Sequence, residues 1–186
     1  AVGGASLLGY DVEIQPNSDR TPTSTESDTV ATDSATDGPT IESEADASSA
    51  SFDQNDVRSL FYERLNEFRD EHGRAALRAS TPIVRAAEGH SEDMATRDYF
   101  SHESPEGETS RDRLREAGAQ CSKSGENIAQ TWWRESLTSS EGPTYIDSDA
   151  DLATALFIQW RESSGHRKIM LLRGIDDVGL GLAQTA

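Results

Sequence analysis

Cys121 is the sole cysteine among the 186 residues, so no intrachain disulfide can staple this chain. That lack does not bar export, because a domain of about 135 residues can bury a sufficient core without one. A lone thiol outside any local motif reads as a small half-buried residue rather than a nucleophile. Lysine is nearly missing too: Lys123 and Lys168 stand with the arginines against 34 Asp and Glu, for a formal net charge of −17. Such a field repels phosphate backbones and anionic lipid headgroups, which argues against nucleic acid as a partner. It also suits a halophilic protein, in which dense carboxylates keep the surface hydrated while salt screens their repulsion. No apolar run is long enough to cross a bilayer, and no Asn-x-Ser/Thr glycosylation site occurs.

Aromatic residues are absent between Tyr10 and Phe52. Over residues 11–51 the chain is mostly Ser, Thr, Asp, Glu, Ala and Pro, and residues 1–50 hold ten acidic side chains against Arg20 alone. This stretch cannot bury enough apolar surface to offset an ordering cost of about 1–2 kcal/mol per residue, so it is expected to be a disordered, acidic, Ser/Thr-rich stalk, open to O-linked sugars. Residues 1–10, small and apolar, resemble the trailing end of a signal or anchor segment; any membrane attachment is expected only through such an N-terminal anchor.

Periodic structure starts at Phe52. Asp53 or Asp56 can cap a helix with Val57, Leu60, Phe61, Leu65 and Phe68 on one face and Gly73 as its stop. Pro82 opens a second helix whose inward stripe is Ile83, Ala87, His90 and Met94, which makes His90 a core histidine by its spacing. A turn-rich loop follows Tyr99-Phe100-Ser101-His102, then a short helix from Ser110 to Ala117. Gly125-Glu126-Asn127-Ile128-Ala129 reads as the first strand, with Asn127 pairing to backbone, and residues 135–149 as an irregular loop. Asp149 is expected to cap a helix carrying Leu152, Leu156 and Trp160, stopped by Ser163-Ser164-Gly165. In Val178-Gly179-Leu180-Gly181-Leu182-Ala183, alternating glycine predicts a strand closely approached by another backbone.

His102, Glu126 and His166 are the candidate site residues. Two imidazoles and a carboxylate can form a divalent-cation site or acid/base machinery, if the fold brings them together. Glu162 stands four residues before His166 and would share its face if the helix continued. Ser101, Ser163 and Ser164 lie beside the histidines, but none sits in a nucleophile elbow.

Several stretches together resemble the CAP superfamily of cysteine-rich secretory, antigen 5 and pathogenesis-related 1 proteins (SCP domains), in its cysteine-poor prokaryotic branch. They are Asn66-x-x-Arg69, Ala87-x-x-His90-x-x-x-Met94, Tyr99-Phe100-Ser101-His102-x-Ser104-Pro105-x-Gly107, Arg113-Leu114-x-x-Ala117-Gly118, Gly125-Glu126-Asn127-Ile128-Ala129, Trp160-x-x-Ser163-x-Gly165-His166-Arg167 and Val178-Gly179-x-Gly181. The resemblance covers roughly residues 53–186. It implies an α+β fold: a three-layer α-β-α sandwich around a small, mainly antiparallel sheet, with a central cavity holding two His and two acidic residues. Carried over position by position, these are His102, Glu126 and His166, with a divalent cation, zinc above others, as the implied cofactor. The fourth falls on Ser163, with Glu162 one residue away as the candidate substitute. Family members continue past the final Val-Gly-x-Gly strand into another strand, so residues 52–186 are expected to form a domain cut before its last strand, the alternative being a sheet with an unprotected edge.

The resulting expectation is an extracellular or surface-tethered, non-catalytic binding module for a cation, a small apolar molecule or a protein. Two alternatives stand beside it: a secreted metal-dependent, peptidase-like hydrolase in which His102, Glu126 and His166 hold the metal, and a purely structural surface domain.

Overall fold

The computed structural model describes residues 6–8 and 52–184. The acidic segment expected to be disordered, 11–51, lies outside the described residues, and of the expected leader 1–10 only Ser6–Leu8 is described.

Helix α1 (Gln54–Glu71) starts where the sequence places it. The Asp53 carboxylate accepts the amide hydrogens of Asn55 (2.7 Å) and Asp56 (3.2 Å), satisfying donors that have no partner inside the helix. Helix α2 (Thr81–Arg97) carries Pro82 in its first turn, and α3 (Ser110–Glu116) is fixed by a reciprocal capping box between Thr109 and Asp112. Helix α4 (Asp149–Glu162) is capped by Ser148 rather than by Asp149, since the Ser148 hydroxyl accepts the Asp151 amide. Ser163 ends α4 in an extended conformation, and a further helix, α5 (Ser164–Met170), begins at once and carries His166.

The helices form two outer layers. Helices α1 and α4 pack on each other with α5 against α4, while α2 and α3 pair on the opposite side; short strands lie between. Strand β3 (Gln130–Trp132), β1 (Ser6–Leu8) and β7 (Ala183–Gln184) form an antiparallel sheet in the order β3-β1-β7, with Leu7 opposite both Thr131 and Gln184. Strand β2 (Arg78–Ala79) pairs in parallel with β6 (Asp177–Val178), and β4 (Ser136–Ser139) forms a hairpin with β5 (Gly142–Tyr145). Between α1, α4 and the strands lies the main core, in which Trp160 is fully buried and edge-on to Phe61, ring centroids 5.4 Å apart. Each such large side chain contributes about 1.5–3 kcal/mol by leaving water.

Three segments depart from the sequence reading. Gly125–Ala129 is not itself a strand; the ladder begins one residue later, at Gln130. Instead, the Ile128 carbonyl accepts from Trp160 Nε1 (3.3 Å), and the segment's own Asn127 side chain donates from Nδ2 to the His166 carbonyl (3.2 Å). Residues 135–149 are not an irregular loop but contain the β4–β5 hairpin, closed by a two-residue turn at Ser140-Glu141 before Gly142, whose φ is 109°. Residues 178–183 are not one continuous strand: only the ends of this stretch are paired, in β6 and in β7, which pairs with β1.

Between β6 and β7 the chain leaves the ladders, and the Leu180 backbone groups bond to α1 side chains instead. On one face, a Cβ at Gly181 would lie 2.1 Å from the Ala87 carbonyl carbon, and one at Gly179 would lie 2.5 Å from Ile83 carbon, so α2 backbone presses directly on both glycines. From α1, Tyr62 Oη accepts the Leu180 amide hydrogen (2.8 Å) and Arg58 Nε donates to the Leu180 carbonyl (2.8 Å).

Two of the motif residues are tethers. Asn66 makes both hydrogen bonds that an amide side chain can offer to the Leu77 backbone, at 2.8 and 3.0 Å. Arg69, 1% exposed, donates to the carbonyls of Ala75 (2.8 Å), Met170 (2.7 Å) and Leu172 (3.2 Å). Arg69 thereby caps the end of α5 with a positive charge, where the helix dipole favours one, and fixes the helix that carries His166.

Candidate functional site

Glu126 is delivered to the interior by the extended segment after α3, with Gly125 before it in van der Waals contact with α5. A Cβ at Gly125 would meet Ile169 side-chain carbons at 3.0 and 3.1 Å, so only a small residue lets this segment pass. Alternation then sends Glu126 one way and Asn127 the other. The Glu126 side chain is 5% exposed, and its two oxygens have different partners. Oε1 accepts a hydrogen bond from Nδ1 of His102, and Oε2 accepts one from Nη2 of Arg113 at 2.5 Å.

Arg113 lies in α3 and its side chain is 6% exposed. It also donates to the carbonyls of Glu108 (3.2 Å) and His102 (3.3 Å), so one guanidinium ties the start of α3, the His102 loop and Glu126 together. His102 lies nearer the surface, its side chain 56% exposed. The hydrogen bond to Glu126 raises its pKa above the ordinary histidine value, against smaller opposing effects of burial and of the Arg113 charge.

His166, in α5, is different. Its Nδ1 is buried with no hydrogen-bond partner. Burial holds its pKa below the ordinary value, and the His102 charge pushes the same way. His166 also lines an apolar pocket of about 380 Å³ whose walls include Phe100, Ile128, Leu137, Ile158 and Trp160. Gln159 lines the same pocket and its Nε2 is likewise buried without a partner. Glu162 is at the pocket's edge but is committed elsewhere. Its carboxylate accepts the Ser140 amide hydrogen at 2.8 Å and the Ser140 hydroxyl, which hold its pKa down and tie α4 to the hairpin turn.

Of the four residues singled out by sequence, His102 and Glu126 are in direct contact, His166 is near His102, and Glu162 faces the hairpin. Among the described residues, no group of three or more His, Cys, Asp or Glu side chains is gathered closely enough to hold a metal ion. The donor chemistry explains this, because Arg113 already supplies Glu126 with a positive charge and His102 takes its other oxygen. In this arrangement the residues do not fit a resident cation. His90 is buried as its spacing predicts, with Nε2 donating to the Ser101 carbonyl at 3.0 Å. The site roles of Arg113 and Gln159 were not foreseen: Gln159 has no local signal, and Arg113, although part of a quoted stretch, lies 13 positions from its carboxylate.

Comparison with known proteins settles the family. The model of CAP, the cysteine-rich secretory protein family, matches residues 62–186. The chain belongs to this family. A solved CAP relative, described as an extracellular protein containing a SCP domain from Bacillus anthracis strain Ames, superposes with a TM-score of 0.53 and 27% identity, over 70% of this chain and 39% of that one. Two Bacillus subtilis proteins are also similar. The uncharacterized membrane protein YlbC is 33% identical over 117 residues, covering 63% of this chain and 29% of YlbC. The uncharacterized protein YkwD is 25% identical over 123 residues, covering 66% of this chain and 41% of YkwD. The chain thus matches less than half the length of each relative. Among the described residues, no helix is long and apolar enough to cross a membrane.

Proposed function

We propose that this CAP domain is a non-catalytic binding module at the cell exterior, and that its ligand is a small, mainly apolar molecule with a hydroxyl-type polar end seated against His166. One observation carries the reading: the 380 Å³ apolar pocket is bordered by two polar side chains, His166 and Gln159, that have buried, partnerless nitrogens. Pockets that bind small molecules pair apolar walls with a few convergent polar groups, and a hydroxyl can both donate to His166 Nδ1 and accept from Gln159 Nε2. The arrangement around Glu126 supports the absence of catalysis, since its buried carboxylate is already paired with Arg113. An exterior location is supported by the extracellular Bacillus anthracis neighbour and by the small apolar residues 1–10.

Calorimetric titration of the chain with 1-octanol tests this. One equivalent is expected to bind, with affinity reduced tenfold or more by Leu137→Phe, which fills the pocket. Turnover on peptide, ester or glycan panels would overturn it, as would failure of octanol to bind.

The divalent-cation reading is favoured by the partnerless His166 imidazole near His102. It requires Arg113 to release Glu126, and only then would His102, Glu126 and His166 present three donors with an open position for the hydrolase alternative. Zinc uptake at micromolar concentration that is lost in His102→Ala would establish this reading.

A further inference from the structure

A second cleft, of about 470 Å³, lies behind Arg113 between α2 and the loop leading into α3. It is lined by charged groups of both signs, and their commitments decide what it can take. Its three arginines are engaged: Arg97 with Asp93 and Glu106, Arg113 with Glu126, and Arg85 with the Ala117 carbonyl at 3.3 Å. Asp93 is further held by the Tyr99 hydroxyl at 2.6 Å. The two remaining carboxylates, Glu108 and Glu116, line the same cleft, and after burial the Glu116 charge raises the Glu108 pKa against the lowering effect of the Arg113 charge.

The floor adds an independent observation. His90 lines the cleft and is 1% exposed. Its Nε2 bonds a carbonyl, which can only accept, so Nε2 carries the proton and the neutral ring leaves Nδ1 as an acceptor. That Nδ1 has no partner. An acceptor on the floor and two mutually repelling acceptors on the wall require the same thing of a ligand, namely hydrogen-bond donors carrying positive charge.

We propose that the α2–α3 cleft is a second binding site, taking a small organic cation with an amine or guanidinium group that bridges Glu108 and Glu116 and donates a hydrogen bond to His90 Nδ1. This site is separate from the His166 pocket and stands whether or not that pocket binds its ligand.

The test is calorimetric titration of the chain with agmatine and with putrescine, in the wild type, Glu108→Gln/Glu116→Gln and the control Glu63→Gln/Glu67→Gln on the exposed face of α1. One saturable site per chain is expected, weakened tenfold or more in the cleft variant and unchanged in the control. Circular dichroism establishes that both variants fold. An absence of binding, an equal loss in the control, or many weak sites without saturation would overturn the proposal. A His90→Asn variant that folds is expected to weaken agmatine binding further; unchanged affinity would remove His90 from the site and with it the proposal as stated.

Discussion

Replacing Arg113 with Met removes the guanidinium paired with Glu126 while keeping much of the side chain's apolar volume. Both side chains are nearly excluded from water, at 6% and 5% exposure, so the stranded Glu126 carboxylate cannot be rehydrated without opening the cavity. Breaking a buried pair from one side costs about 3–5 kcal/mol, and the bonds from Arg113 to the Glu108 and His102 carbonyls lie within that figure. Arg113→Met is therefore expected to lower the urea midpoint at unchanged m-value by an amount equal to about 3–5 kcal/mol. Removing both charges in Arg113→Met/Glu126→Leu should cost less than the sum of the single changes, with a coupling energy of about 1–3 kcal/mol. The His102 imidazole gives a second readout. Its pKa should rise further in Arg113→Met, because the opposing Arg113 charge is gone, and should fall in Glu126→Gln, because the hydrogen bond that raises it is lost. Single variants costing less than about 1 kcal/mol, strictly additive effects, or an unmoved His102 titration would refute the reasoning.

Gly181→Ala should be strongly destabilising, by more than the usual overpacking cost of about 1–3 kcal/mol, because the new methyl would meet α2 backbone at 2.1–2.4 Å rather than a movable side chain; thermal unfolding reads this directly. Stability should also be highest near the unperturbed histidine pKa of about 6.5. Because the folded-state pKa of His102 is raised, its contribution is full below the unfolded value and is lost as pH rises through the folded value. For His166 and His90 the folded values are lowered by burial, so stability falls as pH drops below the unfolded value and these rings take up protons on unfolding. Urea midpoints against pH should show the alkaline limb flattened by His102→Gln and the acid limb softened by His166→Gln. If the net charge of −17 is an adaptation to salt, stability should increase between about 0.1 and about 1 M KCl as the screening length shrinks from about 10 to about 3 Å, and a flat profile would refute the halophilic reading.

The helices were legible because their signals are local. Asp53, Pro82, Gly118 and the apolar stripe from Val57 to Phe68 act within a turn or two of where they stand. The two glycines at 179 and 181 were legible for the same kind of reason, since alternating glycine has few uses other than close approach. The hairpin at 136–145 was missed because Leu137 and Tyr145 are its sole large apolar residues among Ser, Thr, Gly and Pro, which carry loop chemistry as readily as strand chemistry. Helix α5 was missed because Ser164-Gly165 at its start reads as a stop, and its stability comes from Arg69 and Asn127, residues far away in the chain. At the site, the family resemblance named His102 and Glu126, whose side chains are in contact. Arg113 stood in one of the quoted stretches, but no pattern gave it a role, and its charge takes the place that a cation would otherwise fill beside Glu126.

The most direct test of the central claim is NMR of the histidine ring protons while the chain is titrated with 1-octanol and, separately, with zinc chloride. The account predicts that octanol moves the His166 resonances saturably at one equivalent, that His102 keeps its raised pKa, and that one equivalent of zinc shifts neither ring. Stoichiometric zinc shifts of His102 and His166 together, with octanol moving neither, would contradict it.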